Sequence, residues 1–129
     1  METVLLIEND PANLVAQTLI LRSFGYNVLE ADSGEEALRV CHEHTGPIHL
    51  VLAKALLDTK QVVAWLQPLH PQIRGLFVSD APLSERADEQ SIESKCAFLE
   101  KPFRVDTLAQ VIRKLLSRPE EKAFTSVSQ

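Results

Sequence analysis

The residues in this chain that could do chemistry fall in a few short clusters. Glu8, Asn9 and Asp10 place two carboxylates and an amide in consecutive positions. Oxygen donors crowded in this way suit a divalent cation or an anionic patch. The same triplet, followed by Pro11, is equally a helix start. Asn9 or Asp10 can cap it, Pro11 fits its first turn, and acids favour its positive end. Lys54 closes the apolar run 48–53, and a cation brought to the end of a buried segment is costly unless anions surround it. Ser79 and Asp80 end a second apolar run, and Lys101 ends a third, just before Pro102 and Phe103. Ser79 has no nearby histidine in the pattern to act as base, so hydrolase chemistry has little support. His42 and His44 do not share a face with a third ligand. Cys41 and Cys96 have no ligand spacing and read as buried, reduced thiols.

Alternating strands and helices must position these residues. Thr3 to Ile7 reads as a buried strand that delivers the acidic triplet. Ala12 to Phe24 reads as a helix with Ala16, Leu19, Ile20 and Phe24 on its apolar stripe, stopped by Gly25. Tyr26 to Ala31 reads as a strand nearer the sheet edge. Ser33 with Glu36 forms a capping box for a second helix, which carries Ala37, Leu38 and Cys41 inward. Ile48 to Lys54 is the central strand, short, β-prone and nearly uninterrupted, as strands buried on both faces are. Asp58 looks like the cap of a short third helix bounded by Pro68 and Pro71. Trp65 either completes that helix's core stripe or stands half exposed as a contact residue. Gly75 to Val78 is a fourth strand, and Pro82 to Ser94 a polar, weakly helical segment with few anchors. Ala97 to Leu99 is a fifth strand, and Val105 to Leu116 a last helix with Val105, Leu108, Ala109, Ile112, Leu115 and Leu116 on its stripe. Five β-α units predict a doubly wound, five-stranded parallel α/β sheet with about five helices. In such sheets the site lies beyond the carboxyl ends of the strands, where Lys54, Ser79 and Lys101 fall.

The chain's 129 residues fit one domain, with residues 1–118 as its body and 119–129 as a polar tail or linker. The formal net charge of −5 disfavours a surface for nucleic acid or anionic membrane. No run of about 18 apolar residues predicts a membrane span, and the start lacks a signal-peptide design, so a cytoplasmic location is expected. Glycine occurs 4 times and never in a cluster, which argues against a nucleotide-binding phosphate loop.

Taken in order, Val4 to Pro11, Gly25-Tyr26, Ser33 to Leu38, Leu76 to Ser79 and Phe98 to Phe103 resemble the receiver domain of two-component response regulators, a flavodoxin-like fold. The likeness runs from about Thr3 to Leu116, and in style it is similar to receivers attached to hybrid sensor kinases. The resemblance implies that Ser79 matches the hydroxyl position, Lys101 the pocket lysine and Phe98 the aromatic switch position. Glu8 and Asn9 fall where the family keeps its acidic pair, and Asp10 just beyond. Lys54 stands where the family carries its phosphoacceptor aspartate. An ammonium cannot become an acyl phosphate, and it repels Mg²⁺. The loop after it is also shorter than the family's by roughly three residues, as loops tolerate.

A degenerate receiver is therefore expected: a phosphorylation-independent signalling or protein-interaction module, not an enzyme. No cofactor is expected, with Mg²⁺ weak or absent. The resemblance implies a protein partner, a histidine kinase or an output domain. It also implies a contact or homodimer face made of the fourth helix, fifth strand and fifth helix. Lys54 is expected to pair with Glu8; the plainer alternative is a surface lysine with no designed partner. Two rival functions are phosphorylation at a displaced aspartate, Asp58, and a structural spacer within a hybrid kinase.

Overall fold

The computed structural model describes residues 2–54, 64–79 and 96–117. Along them run β1 (Thr3–Ile7), α1 (Pro11–Ser23), β2 (Asn27–Ala31), α2 (Gly34–Glu43), β3 (Leu50–Lys54), β4 (Arg74–Ser79), β5 (Cys96–Glu100) and α3 (Val105–Ser117). Residues 64–66 are helical as well. The readings attached to Asp58, to Asp80, to the segment 82–94 and to the tail lie outside the described residues.

The strands form one parallel sheet in the order β2-β1-β3-β4-β5. β3 is its middle strand, and β2 lies at an edge. Because all strands run the same way, their carboxyl ends share one edge. The chain winds in opposite directions from the β1/β3 junction, where open α/β sheets place their crevice.

Period-two alternation along the strands divides the core between the two faces. Val4, Leu6, Leu50, Leu52, Leu76 and Val78 point to one face, where they meet Leu21 of α1 and Leu108, Ile112 and Leu115 of α3. Leu5, Val51 and Phe77 point to the other, against Ala37 and Cys41 of α2 and Leu66 and Ile73. Both faces being covered explains why these strands read as continuous apolar runs.

Local chemistry sets the helix ends. Asp10 caps α1, its Oδ2 accepting the Asn13 N–H at 3.1 Å. At the other end Gly25 has φ 97, the left-handed region where a side chain would be strained. That turn lets the Gly25 N–H reach the Arg22 carbonyl at 2.9 Å and the Tyr26 N–H reach Leu21 at 3.3 Å. These are the two bonds of a Schellman cap. At α2, Ser33 Oγ accepts the Glu36 N–H at 3.1 Å. Glu36 Oε1 accepts the Asp32 N–H at 2.7 Å, one residue before the cap that a capping box would join. That backbone bond is the main reason the Glu36 carboxyl titrates below its ordinary range.

Two expectations about helix faces change, and one open alternative is decided. α1 buries Thr18 and Leu21, with Leu14 partly buried, and leaves Ala16 exposed and Leu19 62% exposed. The expected stripe through Ala16 and Leu19 was displaced because a polar residue holds the centre of the true one. Thr18 Oγ1 donates to Glu30 Oε2 of β2 at 2.7 Å, which satisfies its hydroxyl inside. Val105 is 49% exposed rather than inward, since α3 begins there and the helix meets the sheet through Leu108 onward. Trp65 is 44% exposed, so it takes the half-exposed alternative.

Candidate functional site

Glu8 directly follows β1, Lys54 is the last residue of β3, and Lys101 directly follows β5. The parallel sheet brings all three to one cleft of about 240 Å³. Ile7, Gln17, Ile20, Leu52, Ala53, Val78, Phe103, Val105 and Leu108 complete its lining. The cleft lies on the α1/α3 side of the sheet, below the shared carboxyl edge. Among the described residues its charged groups are the Lys54 and Lys101 ammoniums and the Glu8 carboxylate.

The other expected residues sit around the cleft. Ser79 is 2% exposed at the end of β4, in register with Glu100. Its carbonyl accepts the Lys101 N–H at 2.8 Å, which fixes the backbone that leads Lys101 to the cleft. Phe98 faces away from the cleft. It packs with the α2-side core and lies 5.5 Å from Phe77, ring centre to ring centre, at a 37° tilt. Asn9 and Asp10 are exposed, and the Asp10 carboxylate is committed to capping α1.

The expected ion pair between Lys54 and Glu8 is not formed among the described residues. Glu8 is buried, and its two oxygens already have donors. Oε2 accepts the Asp10 N–H at 3.0 Å, and Oε1 accepts Gln17 Nε2 at 3.3 Å. A carboxylate held by neutral donors at the start of a helix needs no ammonium. Lys54 instead ends its strand exposed. Gln17 was missed in the sequence, although a polar residue beside the buried stripe of α1 is a signal that it bonds to something inside. Also missed was the apolar floor of the cleft, because those residues read simply as core.

Several described ionisable groups outside the cleft serve the fold. Burial pushes the Cys41 thiol up to about 11, the behaviour of an inert core cysteine. Arg39 bridges Glu36 at 3.0 Å and Glu43 at 3.1 Å on the exposed face of α2. His49 Nδ1 accepts the Thr3 N–H at 2.9 Å, so its remaining ring proton lies on Nε2. Among the described residues, no group of three or more His, Cys, Asp or Glu side chains could hold a metal ion. Among them, too, no helix is long and apolar enough to cross a membrane.

No protein-family model matches the chain. It is 32% identical over 121 residues to the sensor kinase CckA of Brucella abortus (strain 2308), a match covering 92% of this chain and 13% of that protein. It is 31% identical over 121 residues to the transcriptional regulatory protein GlrR of Escherichia coli (strain K12), covering 89% of this chain and 26% of that one. The chain thus spans a minor part of the curated relatives it matches. Among solved structures, the receiver domain of the hybrid histidine kinase CckA superposes with a TM-score of 0.70 at 27% identity, covering 89% of this chain and 99% of that one. A response regulator receiver domain protein from Clostridium thermocellum superposes at 0.76 with 19% identity, covering 92% and 96%.

Proposed function

We propose that the chain acts as a response regulator receiver domain of two-component signalling, a reading supported by its likeness to CckA, to GlrR and to the CckA receiver structure, and that it signals without a covalent phosphoryl group. In this reading it is a phosphorylation-independent module that works by binding, with no catalytic turnover. The observation that carries the reading is Lys54 at the end of β3, lining the cleft where a receiver would need an acidic acceptor. A primary amine there cannot form an acyl phosphate.

Receivers employ Mg²⁺ to neutralise the phosphoryl group. The described residues do not fit that ion. Mg²⁺ demands near-octahedral oxygen ligands. Here the Glu8 oxygens are engaged by Asp10 and Gln17, the Asp10 carboxylate caps a helix, and two ammoniums share the cleft. No step of the proposed function passes through a metal.

The input would then be a bound molecule or a fixed conformation that favours one state over another. The partner in this reading is a protein in the cytoplasm, a histidine kinase or an output domain. The face offered to it, or to a second copy, includes β5 and α3. Incubation with Mg²⁺ and a small phosphodonor, followed by intact mass, tests the proposal. The expected result is an unchanged mass. A gain of one phosphoryl group mapping to Asp58 would transfer the function to a displaced acceptor. Tight binding of beryllofluoride with Mg²⁺ would also overturn the reading.

A further inference from the structure

We infer that the cleft below Lys54 binds a small amphipathic monoanion, of the build of a short-chain carboxylate. The inference deepens the reading above by naming a non-covalent input, and it rests on that reading only for the signalling consequence.

Three observations carry it. The first is the floor: Leu52, Val78, Phe103 and Leu108 form an apolar wall that a bare inorganic anion would leave uncovered. The second is charge. Lys54 lines the cleft, with Glu8 as the acid of its described lining. Glu8 is already held by the Asp10 N–H and Gln17, while Lys54 is exposed at the rim and has no ion pair with a described residue. A carboxylate at the rim gains a charge-assisted bond from an ammonium, and its tail gains the burial of the floor. The third is size. At about 240 Å³ the cleft falls below the roughly 300–1,000 Å³ of drug-sized sites. At about 30 Å³ per water-sized volume it holds roughly eight non-hydrogen atoms, which is hexanoate. Apolar lining with a few convergent polar groups is the general form of a small-molecule site.

The test is an NMR titration of the whole chain with sodium hexanoate, hexylammonium chloride and inorganic phosphate, each alone. Hexanoate is expected to give saturable shifts at the Leu52, Val78 and Leu108 methyls, with a Kd on the order of 1 mM for a ligand of this size. Lys54→Gln, at an exposed position, should weaken it about tenfold by removing a charged hydrogen-bond donor. Val105→Glu, which adds a carboxylate at an exposed position of the lining, should weaken it by a similar factor. Equal shifts with hexylammonium, or with phosphate, would overturn the inference. So would an unsaturated response, shifts centred away from the cleft, or unchanged affinity in both variants. The mass experiment above reads the acceptor and this titration reads the cleft, so either can fail while the other stands.

Discussion

At the scale of the residue, the chain satisfies buried polar groups with near neighbours. Thr18 is the clearest case. Its hydroxyl ties α1 to β2 through Glu30 at 2.7 Å. Thr18→Val keeps the shape and removes the donor, and should cost about 0.5–1.5 kcal/mol in urea unfolding. A double-mutant cycle with Glu30→Ala should return most of that as coupling. Cys41 supplies a pH prediction. Its folded value, about 11, lies above the 9.0 of a free thiol, so the fold holds the protonated form. Its contribution is intact below pH 9 and is lost as pH rises through about 11. Wild type should therefore lose stability across that window relative to Cys41→Ala. With Cys96→Ser as background, alkylation at pH 8 should also be slow until denaturant is added.

These residue-level contacts were the least legible part of the sequence. That Lys54 would reach the strand edge followed from the apolar run before it. That Glu8 would choose Gln17 and a backbone N–H over Lys54 did not, because side-chain reach and direction decide it. Thr18 was hidden for a related reason: a hydroxyl that finds its partner across two elements looks like surface until both elements are placed.

At the scale of the element, punctuation was legible and facing was less so. Gly25, Ser33 and Asp10 end or start helices as their chemistry dictates, since each serves backbone groups a few residues away. Asp10→Ala should cost about 1 kcal/mol through the lost α1 cap, while leaving the Asp10 N–H bond to Glu8 in place. Gly25→Ala should cost about 1–2 kcal/mol, because its φ of 97 is strained for any side chain. Circular dichroism with chemical denaturation checks both. The strands were read correctly because burial on both faces leaves a simple apolar run. α1 was misread in part: Ile20 and Phe24 pack inward as expected, but the outer face also carries apolar residues, and Val15 and Leu19 stand exposed there.

At the scale of the molecule, the order β2-β1-β3-β4-β5 does the positioning. It sends the ends of β1, β3 and β5 to a common edge, so residues far apart in the chain share one cleft. That much follows from the alternation of strands and helices and from parallel pairing. The cleft's apolar depth does not, since it depends on how α1 and α3 seat against the sheet.

The two-sided core has one more consequence. The sheet acts as a partition, and damage on one side has no direct route to the other. Ile112→Val combined with Val51→Ala, on opposite sides, should destabilise by the sum of the single effects to within about 0.5 kcal/mol. Ile112→Val with Leu76→Val, neighbours on one side, should depart from that sum by more. Each compartment can thus be rebuilt without renegotiating the other, and a chain arranged this way can remodel its cleft side while the α2 side keeps the strands in register.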